Sequence, residues 1–318
     1  MYPTQYQKLE KDRQALVEGV LEQMEKGSLF WQKPWSPEAL APYNPASGTI
    51  YQGGNRLRLT FAVLQKHYTD PRWMTFNQIK EKGYHLKKGS KGIALEKWIF
   101  DKEVTVEENG VKRRERVELD HPIVNRFVVF NGSQVAGLPQ YQAAMRQSGI
   151  ADRLKESAEC PVCEDAQGRA YYVPGADEIH VPIREVFQSE DGFAATLAHE
   201  MIHATGHPDR LNRTFGTWKL KLPDENYCRE ELRAEIGSMF LMSDLGINQD
   251  SSIETDLKQR GAYIQGFYSL LKKDPNELFR AAKDASAAAD RIKERYLQRY
   301  PNPQIQPLLK EKTKELRL

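Results

Sequence analysis

Apolar residues recur at helical spacing from Gln5 to Met24, where Leu9, Leu16, Val17, Val20, Leu21 and Met24 share a face and Gly27 can close the helix. Further on the period changes. The stretches from Ile93 to Phe100 and from Glu103 to Glu107 read as strands, and Asn109-Gly110 is a hairpin signal. Val111 to Leu119 returns with charge at most positions, as an exposed edge does, and Val124 to Phe130 is a compact apolar strand closed by Asn131-Gly132. The helical period resumes with Phe193, Leu197 and Met201, preceded by Ser189 as N-cap and by Glu190 and Asp191 in the first turn, with Gly206 placed to end the helix in the left-handed conformation. A second amphipathic helix, from Cys228 to Met242, turns Leu232, Ile236, Met239 and Phe240 inward.

These elements predict an α+β fold, and 318 residues suggest two domains rather than one. Gly137-Leu138-Pro139 opens a polar stretch through about Glu164 that reads as helix and linker, so a boundary is expected near residue 140. The domains are then 1–140 and 141–300, with a tail over 301–318.

Composition narrows the class. With 40% hydrophobic and 28% charged residues the chain has apolar material for real cores. It has no run approaching the eighteen or so apolar residues of a membrane span, and MYPTQYQKLEKDRQ has no signal-like apolar stretch, so a cytoplasmic location is expected. Three cysteines exclude a dense disulfide framework. Cys160-Pro-Val-Cys163 looks like half of a zinc ribbon, but only Cys228 is left to complete it, so the pair is read as incidental.

The candidate chemistry lies in His199-Glu200-Met201-Ile202-His203. Four residues are just over one helical turn, so His199 and His203 project from one face and can ligate one zinc ion. Glu200, about 100° round the helix, can reach a metal-bound water without being a ligand, as a general base must. For a third ligand, Glu231 and Glu235 share a face of the downstream helix. That spacing suits Glu231 as ligand, with Glu235 holding a ligating histidine by its other ring nitrogen. The pattern is similar to the Glu-x-x-Ala-acidic signature of gluzincin metallopeptidases. Asp209, at the end of a metzincin-like spacing, Glu235 itself and His207 are the rivals.

Charge is distributed unevenly. The whole chain carries +2, yet from Tyr51 to Phe100 ten lysines and arginines face three acids, a local excess of roughly seven. Phe30-Trp31-Gln32-Lys33-Pro34-Trp35 forms an aromatic, basic turn just upstream, and Tyr51, Phe61, Tyr68, Trp73, Phe76, Tyr84 and Trp98 interleave with the bases. Aromatics that stack on bases and cations that track phosphates bind single strands. The same composition equally fits a core with a solvated lysine face, and the residues alone leave the two readings open.

Beyond these motifs, the chain resembles the ArdC-type antirestriction proteins of plasmids and other mobile elements, whose N-terminal domain is shared with TraC-type conjugative primases. The N-terminal resemblance lies in Gly27, Trp31 to Trp35, Asn44-Pro45, Tyr51 to Asn55, Trp73 to Gln78, Lys88 to Gly92 and Val129 to Val135. The C-terminal one lies in Tyr172 to Pro174, Asp177 to Ile179, Val181-Pro182, the His199 motif with Thr205 to His207, Arg210 to Arg213 and Glu230 to Gly237. It continues through Tyr263 and the helix from Ala281 to Ile292. It implies a single-stranded-DNA-binding domain joined to a zincin-like metallopeptidase domain, with zinc as cofactor and with single-stranded DNA and a host protein substrate as partners. Trp31, Lys33, Trp35, Tyr51, Asn55, Arg56, Trp73, Lys87, Lys88 and Lys91 are the expected DNA contacts. Arg210 and Tyr263 are expected to steady an oxyanion. The alternative is a DNA-binding protein with a structural or vestigial zinc site, protecting DNA by occupancy.

Overall fold

The computed structural model describes residues 4–29, 41–108, 111–142, 149–165, 168–215, 218–219, 222–248 and 257–301. Trp31, Lys33, Trp35 and the Asn109-Gly110 turn, named above from the sequence, lie outside them, as does all of the expected tail beyond residue 301. Both helices and sheets are present, so the fold is α+β. No helix among the described residues is long and apolar enough to cross a membrane.

The N-terminal part holds α1 (Gln5–Glu25), α2 (Gly53–Lys66), β1 (Trp73–Thr75), α3 (Phe76–Glu81), β2 (His85–Leu86), β3 (Ile93–Glu108), β4 (Val111–Asn131) and β5 (Val135–Ala136). Thr4 and Gln7 form a capping box at the start of α1, and Gly27 follows its end at a φ of 72°. β1, β4 and β3 form an antiparallel sheet in that order, and β2 pairs with β5. The four strands read from the sequence are two long ones. The pairing jumps from Ile99↔Ile123 to Asp101↔Glu118, so the segment around Pro122 loops out of the ladder, where a residue without an N–H is tolerated, and β4 then resumes.

The C-terminal part continues with α4 (Ile150–Glu156), β6 (Val162–Asp165), β7 (Tyr171–Val173), β8 (Glu178–Pro182), α5 (Glu190–Ala204), β9 (Trp218–Lys219), β10 (Leu222–Pro223), α6 (Glu225–Leu245), α7 (Leu257–Lys273) and α8 (Glu277–Arg299). A mixed sheet of order β6, β8, β7 packs on α5. α5 crosses α6 closely because position 237 is glycine: a Cβ there would lie 3.0 Å from Ile202 side-chain atoms.

One hydrophobic core runs through both parts. α8 offers Ala281, Ala282, Ala285, Ala288 and Ala289, all buried, and these small residues let α6 and α2 approach it closely. The N-terminal end of α2 docks there, where the Gly53 N–H donates to the Ser286 hydroxyl at 2.8 Å. Beside this contact Asp244 of α6 is buried between Arg56 of α2 at 2.8 Å and Lys293 of α8 at 2.6 Å. Arg56 also donates to the Phe240 carbonyl and lies over the Phe240 ring.

Burial alone would raise the Asp244 pKa, but Arg56 and Lys293 outweigh it and hold it at about 2. An unfolded aspartate protonates near ~3.9, so this carboxylate stabilises the fold fully above that pH and loses its contribution as the pH falls toward 2. Removing one partner of a buried ion pair costs about 3–5 kcal/mol. Asp244→Asn is therefore expected to lower the unfolding free energy by about that amount at pH 7, measured in urea, and the gap to wild type should narrow below about pH 4. Equal stability at pH 7 would refute this account of the cluster.

Candidate metal centre

Ser189 caps α5 by accepting from the Gly192 N–H at 3.0 Å. The helix stops after Ala204, with Thr205 as C-cap, and Gly206 does not take the left-handed conformation expected of it. Its lack of a side chain serves packing instead. A Cβ at Gly206 would fall 2.6 Å from the Phe215 ring and 3.1 Å from the Arg213 guanidinium.

The structure brings His199, His203 and Glu231 together, α5 supplying the histidines and α6 the carboxylate. The two Nε2 atoms are 3.2 Å apart, and Glu231 oxygens stand 3.6 Å from His199 Nε2 and 3.5 Å from His203 Nε2. Ligands ~2.0–2.1 Å from a tetrahedral ion are separated by about 3.3–3.4 Å, so this triangle fits one face of a zinc-type coordination sphere. Electrostatics agree with the geometry. Burial alone would lower the His199 pKa, but the bond to Glu231 and the charges of Glu200 and Glu231 push it up to about 10, so the pocket favours positive charge. Glu200 is buried beside the triangle, and the Tyr172 backbone N–H donates to it. Burial raises its pKa, against the pull of both histidines.

The rival third ligands stand elsewhere. The Asp209 side chain is 91% exposed and lies 3.7 Å from His207, away from the triangle. Glu235 exerts its charge on His199, but the carboxylate at the other nitrogen of His203 is that of Glu230, 3.3 Å from Nδ1. The expectation that Glu235 holds a ligating histidine therefore does not apply to His203, whose partner is Glu230, while Glu235 acts on His199. Successive residues of α6 diverge by about 100°, so Glu230 and Glu231 reach opposite nitrogens of one imidazole. Arg213 grips both Glu230 oxygens, at 2.7 and 2.9 Å, and also donates to Thr205 Oγ1 and the Ile202 carbonyl. It thereby fixes the carboxylate that orients His203. Arg210 is tied to Asp177 and to the Ala204 carbonyl, which leaves it a structural anchor rather than a group for an oxyanion. The Tyr263 hydroxyl lies 3.0 Å from that of Tyr227, and both tyrosines feel the Glu231 charge. Sequence reading missed Glu230, Arg213 and Tyr227. The last carries a signal, since it stands four residues before Glu231 on the same helical face.

Several expected DNA contacts belong to the fold. Trp73 is 0% exposed, Tyr51 5% and Arg56 1%, so none can meet a base or a phosphate. Asn55 pairs with the backbone of Glu96 through both ends of its amide, at 2.7 and 2.9 Å, sealing the edge of β3. Lys87, Lys88 and Lys91 are exposed, as are Lys80 and Lys82, and Phe76 at the start of α3 is 54% exposed. Cys160, Cys163 and Cys228 are free thiols.

Comparison with known proteins places these features. Residues 10–130 match the N-terminal domain of the anti-restriction factor ArdC, and residues 150–284 match the zincin-like metallopeptidase family. The chain is 34% identical over 293 residues to a DNA primase TraC of Escherichia coli, covering 87% of this chain but only 26% of that one. It thus spans about a quarter of that relative's length. It is 25% identical over 278 residues to the uncharacterised protein y4eC of Sinorhizobium fredii, covering 88% of it. The metal-free crystal structure of the antirestriction protein ArdC from plasmid R388 superposes with a TM-score of 0.69 at 31% identity, covering 90% of this chain and 98% of that one. Its Mn(II)-bound structure gives a TM-score of 0.68. With both family regions present and the R388 protein matched over nearly its whole length, the chain belongs to the ArdC-type antirestriction proteins, an ArdC N-terminal domain joined to a zincin-like domain.

Proposed function

We propose that this protein shields incoming DNA of a mobile element by binding it as a single strand and by cleaving a recipient protein at a zinc-dependent peptidase site. The observation that carries the peptidase reading is the partly buried triangle of His199, His203 and Glu231 with buried Glu200 beside it. Two imidazoles and a carboxylate suit zinc, and that ion, when held there, supplies Lewis-acid polarisation of water and of a carbonyl. Glu200 is the general base: it takes a proton from water and passes it to the leaving amine, and its burial raises its affinity for that proton. Glu230 and Arg213 keep His203 Nδ1 engaged, so Nε2 faces the ion.

For the DNA-binding half, burial removes Trp73, Tyr51 and Arg56 and leaves Lys87, Lys88 and Lys91. We assign base stacking to exposed Phe76, which shares α3 with Lys80. The second reading, protection by occupancy alone, is favoured by the same exposed lysines and needs no Glu200.

Three results test this. Purified protein should hold about one zinc per chain; His199→Ala, His203→Ala and Glu231→Ala should each lose most of it, whereas Glu200→Gln keeps it. Full occupancy in Glu231→Ala would remove that residue from the ligand set. Comparison of wild type with Glu200→Gln, for protection of DNA in a recipient cell and for cleavage of recipient proteins, separates the two readings. Protection that survives intact in Glu200→Gln makes occupancy the function. In the full-length chain, Phe76→Ala should weaken single-strand binding roughly five- to hundredfold by loss of stacking. Each of Lys87, Lys88 and Lys91 replaced by alanine should lower the log–log salt slope by about 0.7 on any sequence. A preference for duplex DNA, or affinity that does not respond to salt, would overturn the assignment of this half.

A further inference from the structure

The hydroxyls of Tyr227 and Tyr263 lie 3.0 Å apart beside the metal triangle, and no role described so far uses them as a pair. Tyr227 precedes Glu231 by four residues on α6, so the two side chains share a face and the Tyr227 hydroxyl is placed to donate to the Glu231 carboxylate. An ionised carboxylate only accepts, so Tyr227 must donate its single proton to Glu231. Its oxygen is then left to accept, and Tyr263 must donate to it. The direction of the whole chain is set: Tyr263 to Tyr227 to Glu231.

The far end of this chain is anchored. The Tyr263 ring stacks on that of Tyr227, with centroids 6.3 Å apart and planes at 21°, and leans on Phe267, which is buried in the core. α7, which carries both residues, also reaches α1, where the Tyr268 hydroxyl donates to Glu25 at 2.8 Å. A glutamate has three rotatable bonds, and one left unrestrained must be ordered by the ion at the moment of binding. A donor already fixed to its carboxylate removes that cost beforehand.

We propose that Tyr227 and Tyr263 form a hydroxyl relay that holds Glu231 in its ligating orientation, so that α7 sets the metal affinity of the site. Tyr227 and Tyr263 are positioning residues in this scheme, and it rests on the metal-centre reading above.

The test uses the full-length chain and measures Zn2+ and Mn2+ affinity by competition with a chromophoric chelator, together with the visible spectrum of the Co2+ form and the Tm of metal-free protein. Tyr227→Phe keeps the ring and removes the hydroxyl, and should weaken metal binding about 10- to 100-fold, alter the Co2+ spectrum and leave the metal-free Tm unchanged. Tyr263→Phe should weaken it about 2- to 10-fold. Because the hydroxyls act in series, the double variant should bind metal no more weakly than Tyr227→Phe alone. If wild type binds metal and Tyr227→Phe matches it in affinity and Co2+ spectrum, the relay is overturned while the metal centre stands. Additive losses in the double variant also overturn it. Failure of wild type to bind either ion sinks the metal-centre reading itself. Should Tyr227→Phe fail to fold, Tyr263→Phe decides by the same measurements, its substitution lying outside α6.

Discussion

Three desolvated charges hold this molecule together. Asp244 has been taken out of water, and it is tolerable there only because Arg56 arrives from one side and Lys293 from the other. Each belongs to a different helix, so satisfying one carboxylate fixes α2, α6 and α8 against one another. The alanine stripe of α8 fills the remaining space, and its small side chains bring the helices near enough for the ions to meet.

α6 contributes both to the Asp244 cluster and to the metal triangle. Glu231 and Asp244 stand on the same helix, roughly 20 Å apart at ~1.5 Å per residue. One end of the rod carries the metal ligand and the other the junction of the two domains. Close packing at Gly237, between them, sets the distance from which Glu231 reaches the histidines of α5. The adjacent pair Glu230 and Glu231 then divides the work on His203, one carboxylate at each ring nitrogen.

What the sequence reveals depends on how local the cause is. His199, Glu200 and His203 are legible because one helical turn relates them, and Ser189 because a cap acts within three residues. Glu231 is legible through its place on an amphipathic helix. Glu230 is hidden, because its partner Arg213 comes from a loop 17 residues away and only the fold aims the two at His203. The N-terminal half shows the limit most plainly. Arg56 reads as a phosphate contact and is a buried ion whose partner lies 188 residues downstream, and Trp73 reads as a stacking platform and is core. A basic, aromatic composition is silent on which side chains point inward; that is decided by long-range packing. The pairing of β3 with β4 continues past Pro122 only after a shift of register between Ile99 and Asp101, which nothing in the local alternation announces.

The docking of α2 on α8 also orders events in time. Gly53 and Ser286 are separated by 233 residues, and on a ribosome adding ~5–20 residues per second the second follows the first by about ten to fifty seconds. Through that interval α2 has emerged with the faces that α8 and Asp244 will cover still open to water, Arg56 among them. The N-terminal half cannot reach its final state as it is synthesised, and a helix made more than two hundred residues later is the one that completes the first domain.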